Sequence, residues 1–310
     1  DKFILSRIDF IVNGKVYKWD ISDENIYTST SFDYNFDEIE IDIKNNNLSF
    51  NSSNINNKNE KLGKSDVDVN IPVRKKVKNR YALVIGNEDY QSKQRGLTKE
   101  QNVDYARNDA EVFKKYTLNT LGVKEDNMHF LTDATSAEIN QEITLITEII
   151  KKTRGNTELI LYYAGHGFAD EITKIPYLIP VDVPASDLSY AIKLDDLYKK
   201  LSSTGAQKIT IFLDACFTGG GRASGLLASR GVKVKPKQGV LDGNIIVFSA
   251  SSEEQSALPF HKEGHGIFTY FLLKKLKDTN GEVSMGELSD YIISNVSMQS
   301  LKANRQNQDP

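Results

Sequence analysis

The sequence predicts an α/β protein: a mostly parallel sheet with helices on both faces, preceded by a small antiparallel, sandwich-like β module. Three observations predict it. From residue 81 onward, short apolar runs alternate with amphipathic segments of helical period. Before residue 75 the apolar residues recur instead with period two, as in half-buried strands. The 310 residues, 39% hydrophobic and 26% charged, have the composition of a globular chain long enough for two domains.

Composition also excludes function classes. No apolar run approaches the roughly 18–20 residues that span a bilayer, and the stretch at 267–273 (IFTYFLL) falls far short. Thirty-nine basic against 42 acidic residues give a net charge of -3, with no strong pull toward nucleic acid. Neither membrane nor nucleic acid is therefore an expected partner. A single cysteine rules out an internal disulfide and any Cys-rich zinc or iron–sulfur site. The chain begins at Asp1, without an initiator Met, basic n-region or cleavage signal, and reads as a processed or partial chain. Its compartment is unknown; the lack of disulfides slightly favours the cytoplasm and leaves a secreted or periplasmic location open.

The elements follow in order. Ile8, Phe10 and Val12 lead to Asn13-Gly14, a pair that tolerates the positive φ of a type I′ hairpin turn, and Val16, Tyr17 and Trp19 return. Ile39, Ile41 and Ile43 alternate with acids, as do Val67, Val69 and Ile71 with Asp66, Asp68 and Asn70. Between these runs, residues 45–60 carry eight asparagines and read as a loop. Residues 1–73 are thus expected to form the β module, and 74–80 (RKKVKNR) a basic linker into a domain spanning 81–310. There, 81–86 (YALVIG) is a strand, and Val103, Ala106, Ala110 and Phe113 face one side of a helix stopped by Gly122. A second strand covers 128–131. Thr135 and Glu138 then make a capping box before the stripe Ile139, Ile143, Ile146 and Ile150, which ends at Gly155. Strands at 158–163 (ELILYY) and 208–213 (KITIFL) flank a helix marked by Leu194, Leu197 and Leu201. A fifth strand at 245–248 and two helices, 266–277 and one capped by Ser284 and Glu287, complete the domain.

Open α/β sheets form their sites beyond the carboxyl ends of the strands. The third strand runs into Ala164-Gly165-His166-Gly167 and the fourth into Asp214-Ala215-Cys216. If these strands are neighbours, His166 and Cys216 project from one edge. The cysteine is then either a buried small hydrophobe or a nucleophile whose proton an imidazole takes and returns to a leaving amine. A thiol and an imidazole at the ends of consecutive strands favour acyl transfer.

Cys216 lies fifty positions after His166, the spacing of the caspase pattern. The whole of 81–310 resembles the caspase-like clan of cysteine peptidases, on its bacterial metacaspase, paracaspase and orthocaspase branch. The carrying segments are YALVIGNEDY (81–90), ARNDA (106–110), YYAGHGF (162–168), YLIPVD (177–182), DACFTGG (214–220), FSASSEEQSA (248–257) and HGIFTYFLL (265–273). The resemblance implies a caspase-like fold, Cys216 as nucleophile and His166 as general base and acid. It also implies an oxyanion hole from the backbone N–H groups of Gly167 and Cys216. Caspases proper carry Gln two residues before the nucleophile and select aspartate; this chain has Asp214 there, as in relatives that select Arg or Lys through that acid and one matching Asp109. Paired carboxylates attract a guanidinium or ammonium group, so protein or peptide substrates with a basic P1 residue are expected. The alternative for Asp109 is a capping or solvating role on its own helix. Ser249 and Ser251 are expected to line the same pocket, with Glu253, Glu254 and Gln255 nearby.

The calcium-dependent metacaspases carry an aspartate-rich stretch after the histidine. Here 168–180 holds only Asp170 and Glu171, so no cofactor is expected; His261 and His265, spaced i, i+4, lack an obvious third ligand. The long connection at 219–243 carries Arg222, Arg230, Lys233, Lys235 and Lys237 and matches the caspase inter-subunit linker. Self-cleavage is expected at Arg230-Gly231 or after Arg222; the alternative is a solvated basic loop. Three roles stay open for the β module: recruiting a protein partner, regulating the active site, or capping the sheet edge. Two other readings of the chain also remain, a catalytically silent caspase-like scaffold and a separase-like or clostripain-like thiol hydrolase.

Overall fold

The computed structural model describes strand residues 7–12, 15–22, 25–26, 42–44 and 47–49. From residue 64 onward it describes all but 96–98, 154, 171, 218–243, 251–256, 305–307 and 309. The chain divides into two compact units, Asp1–Asn59 and Glu60–Pro310.

In the first unit β1 (Arg7–Val12), β2 (Lys15–Ser22) and β3 (Asn25–Ile26) form an antiparallel sheet. Val12 pairs with Lys15, the register of a two-residue hairpin connection; Asn13 and Gly14 themselves lie outside the described residues. A second antiparallel pair joins β4 (Asp42–Lys44) to β5 (Asn47–Ser49). Part of the asparagine-rich stretch expected as loop is therefore strand, since ladder bonds use backbone groups that every residue type except proline carries. Ile39 and Ile41 lie outside the described residues.

Residues 64–80 depart further from expectation. The alternation Val67, Val69, Ile71 is not a strand of the β module. Asp66–Asp68 is a 3₁₀ turn that inserts Val67, fully buried, into the core of the second unit, where Tyr116 Oη donates to its carbonyl. Nor is 74–80 a free linker. Arg74 N–H and Val77 N–H donate to the carbonyls of Asn119 and Gly122, and Lys76 Nζ reaches the Leu118 carbonyl. Period-two spacing looks the same in a strand and in an extended segment laid across helices; only the partner differs.

The core of the second unit is a five-stranded, all-parallel sheet of β6 (Arg80–Gly86), β7 (Met128–Thr132), β8 (Glu158–Ala164), β12 (Lys208–Asp214) and β13 (Ile245–Ser249). Their order is β13-β12-β8-β6-β7. Alternate residues serve opposite faces. Ala82, Val84, Tyr162 and Phe212 pack with α2 (Ala106–Asn119), α5 (Ile267–Asp278) and α6 (Met285–Asn304). Leu83, Ile85, Leu161 and Ile211 pack with α3 (Ser136–Lys151) and α4 (Leu194–Ser202). Two covered faces explain why these strands read as continuous apolar runs.

Local rules hold at the helix ends. The Thr135–Glu138 capping box is formed, and the four isoleucines of the α3 stripe are all buried. Ser284 and Glu287 make the reciprocal box at the start of α6. Short elements complete the unit: α1 (Tyr90–Lys93), the antiparallel sheet of β9 (Gly167–Ala169), β10 (Pro176–Leu178) and β11 (Ile192–Lys193), and the hairpin of β14 (Pro259–Phe260) and β15 (His265–Gly266). Among the described residues no helix is long and apolar enough to cross a membrane.

Candidate active site

The strand order decides where a site can form. After β6 the chain crosses to β7 on one side and then to β8 on the other, which opens a crevice beyond the carboxyl ends of β6 and β8. β12 adds next to β8 in parallel register, with Asp214 opposite Ala164. His166 and Cys216 thus each stand two residues past a matched pair on neighbouring strands. The two loops touch: Gly165 N–H donates to the Asp214 carbonyl, and a Cβ on Gly167 would come within 2.9 Å of the Cys216 carbonyl and 2.7 Å of the Phe217 ring. The expectation that one edge carries both residues holds, and glycine at 167 is what permits the approach.

His166 is 3% exposed and held from several directions. Its N–H donates to Tyr90 Oη at 2.9 Å, and its carbonyl accepts from Tyr163 Oη at 2.8 Å. The Tyr90 ring lies 4.5 Å from the imidazole, centroid to centroid. Burial pushes both tyrosine hydroxyls above their ordinary range, so they stay protonated donors. A Cβ at Gly165 would come within 2.7 Å of the Tyr163 hydroxyl, so only glycine fits between the tyrosines and the histidine. The Nε2 atom lies 2.7 Å from the carbonyl oxygen of Gln101, in the connection between α1 and α2. A carbonyl only accepts, so this contact requires a proton on Nε2.

Gly167 pairs with Leu178 across β9 and β10, one step from the Ile179 N–H bond to the His166 carbonyl. In an antiparallel ladder bonded and non-bonded pairs alternate, so the Gly167 N–H points away from β10. Cys216, 4% exposed, sits among the buried apolar residues of the α2 and α5 face.

The two predicted pocket acids meet at one place, the first turn of α5. The N-cap of this helix is Gly266, which has no capping side chain. Asp109, from α2, accepts the Gly266 N–H at 3.0 Å, and Asp214 accepts the Thr269 N–H at 3.3 Å together with the Thr269 hydroxyl. Carboxylates from two other elements therefore satisfy orphan N–H groups of α5 and sit at the positive end of its dipole. Both are buried. Asp109 does not cap its own helix, the alternative considered above.

The remaining candidates spread more widely. Ser249 ends β13, half-buried, opposite Leu213. Ser251, Glu253, Glu254 and Gln255 lie outside the described residues, as do Arg222 and Arg230. Gln308 links Ala250 to Leu258: its side chain donates to the Ala250 carbonyl and accepts the Leu258 N–H. The two histidines spaced i, i+4 do not converge: His261 Nδ1 shares a hydrogen bond with Tyr105 Oη, and both ring nitrogens of His265 are occupied by carboxylates, Nδ1 by Asp109 and Nε2 by Asp68.

The model of the caspase domain, Peptidase_C14, matches residues 79–310. The chain belongs to the caspase-domain family. It is therefore a caspase-like cysteine peptidase, and peptidases of this family act on protein substrates. Among solved structures, the fold is similar to that of caspase-1 from Spodoptera frugiperda, at 16% identity over 77% of this chain and 88% of that one, with a TM-score of 0.51. Protein GSU0716 from Geobacter sulfurreducens is also similar, at 17% identity over 70% of this chain and 89% of that one, with a TM-score of 0.48. No curated protein matches the chain.

Several residues of this caspase-like site were invisible to sequence reasoning. The Gln101 carbonyl is a backbone atom and leaves no side-chain signal. Tyr90 and Tyr163 stand within segments that carried the family resemblance, but nothing in their spacing assigns them to His166. Asp68 was hidden in a period-two run and precedes the family match; its one signal was the pairing of an acid-rich turn with an unassigned histidine.

Proposed function

We propose that this caspase-like peptidase uses Cys216 and His166 as its catalytic dyad and cleaves after Arg or Lys, on the metacaspase and paracaspase side of the clan. The observation that carries the dyad is the register of β8 and β12, Ala164 opposite Asp214, with the Gly167 and Cys216 loops in contact. With its proton on Nε2, His166 accepts the thiol proton at Nδ1, and the Cys216 thiolate attacks the scissile carbonyl. The oxyanion of the tetrahedral intermediate takes hydrogen bonds from the Gly167 and Cys216 N–H groups. His166 then gives its proton to the departing amine, leaving a thioester. Water, deprotonated by the same imidazole, hydrolyses that ester and restores the thiol.

Specificity for a basic P1 residue is supported by the convergence of Asp109 and Asp214 on one helical turn. Against one imidazolium at His265, the three carboxylates of Asp68, Asp109 and Asp214 leave this cluster negative. A P1 aspartate would meet repulsion there and a guanidinium attraction. The test is a panel of fluorogenic peptides differing only at P1, read with wild type and Cys216→Ala. Turnover of Arg and Lys peptides by wild type alone is expected. Preference for Asp, or turnover by the Cys216→Ala chain, would overturn the proposal.

A further inference from the structure

We infer that Asp68 is a positioning residue for the basic-P1 pocket: from a segment ahead of the family match, it holds the His265 ring so that the ring fixes Asp109. The inference rests on the reading above that Asp109 serves P1.

Asp68 is anchored on all sides. Its N–H closes the 3₁₀ turn onto the Ser65 carbonyl, and Val67 beside it is buried with its carbonyl bonded by Tyr116. From α5, Lys274 pairs with Asp66, and Lys277 Nζ reaches the Val69 carbonyl. Ser65 Oγ donates to Glu263 Oε2 at 2.7 Å. The neighbouring acids Asp66 and Glu263 are thus tied to Lys274 and Ser65, and the Asp68 carboxylate meets His265 Nε2 at 3.0 Å.

His265 has no exposed side-chain surface, and Asp109 Oδ1 takes its Nδ1 at 2.7 Å. Carboxylates accept only, so a ring bonded to one at each nitrogen carries both protons and is an imidazolium. Burial alone would lower the pKa of this ring; the hydrogen bonds and charges of Asp109 and Asp68 outweigh it and push the value up to about 9. Asp109 is consequently gripped by two consecutive residues, the His265 ring and the Gly266 N–H, where β15 turns into α5. Asn108 secures the same turn by donating to the Gly264 carbonyl at 2.9 Å. With one carboxylate removed, the imidazole is free to hold a single proton and to turn, and Asp109 loses a fixed donor. Asp68 touches neither Cys216 nor His166 in any described contact, so its effect reaches substrate binding through His265.

The test uses the whole chain. Asp68→Asn keeps the shape and removes the charge. It should raise KM for an Arg peptide by about tenfold while kcat stays within about twofold, and narrow the preference for Arg over the neutral isostere citrulline. Asp68→Glu should recover part of the loss, which a merely structural defect would not allow. Nitrogen-15 NMR of the wild-type protein, with four histidines to assign, should find His265 doubly protonated at pH 8 and needs no variant to fold. A neutral His265 there overturns the inference. So does an unmoved KM in folded Asp68→Asn while wild type still prefers Arg. If wild type itself shows no basic preference, the pocket reading fails, and this inference falls with it.

Discussion

Two buried histidines in this molecule have opposite surroundings. His166 is gripped by a backbone carbonyl, two tyrosine hydroxyls at its own backbone and an aromatic ring. His265 lies between two carboxylates. A carbonyl at one nitrogen calls for a proton there and makes no demand on the other, which is compatible with the general base proposed above. Carboxylates on both nitrogens demand both protons and turn the ring into a fixed cation, which suits a strut. In the reading proposed here the same side chain serves chemistry in one place and electrostatic positioning in the other, and the neighbours make the difference.

The largest effect that can break this comparison is removal of the dyad. His166→Ala and Cys216→Ala should each lower peptide turnover by at least about a thousandfold, and the double variant should be hardly worse, because the pair acts as a unit. Circular dichroism should show both folds intact. Additive losses would separate the two residues. Next in size is the acid pocket: Asp214→Asn keeps the shape beside Thr269 but removes the charge, and should cost about 2–5 kcal/mol in kcat/KM toward Arg peptides, some 30-fold at the low end. Equal losses on Arg and citrulline peptides would show that Asp214 acts only on the fold.

The strut gives a pH signature. The pKa of His265 is raised in the folded protein from 6.5 to about 9, so its contribution to stability is complete below about pH 6.5 and is lost as pH rises through about 9. The loss is on the order of 3 kcal/mol. Denaturant midpoints of wild type should fall across this window more steeply than those of His265→Gln; parallel curves would refute the cationic ring.

The smallest effects on peptide turnover lie outside both histidines. Incubated wild-type protein should split within 219–243, after Arg230 or Arg222, with the larger fragment keeping His166 and Cys216, while the Cys216→Ala chain stays whole. Mass spectrometry of the new termini decides this, and an uncut wild type that turns over peptide overturns the expectation of self-cleavage. A calcium chelator should change kcat/KM by less than about twofold; a larger loss would call for a metal site.

Much of the fold was legible because its signals are local. The isoleucine stripe of α3 and both capping boxes involve residues three or four apart, and a helix face or end needs nothing further to form its pattern. The strands were legible for a related reason: a run buried on both sides must be apolar throughout, whatever its neighbours. His166 and Cys216 stood out because each follows such a run directly.

What tertiary structure alone decided are the pairings between distant segments. Sequence left open whether β8 and β12 are neighbours; the ladder from Lys208↔Glu158 to Asp214↔Ala164 settles it and brings the two loops together. The family resemblance implied one pocket for Asp109 and Asp214 without showing that both reach the first turn of α5, more than fifty residues from either. The Gln101 carbonyl that orients His166 belongs to the backbone, which carries no residue identity to read. Val67 and Asp68 were assigned to the wrong neighbours because alternation records that one side is buried, not against what. The partner is chosen by the free energy of the whole packed unit, where a buried valine and a doubly paired histidine settle what period two leaves undecided.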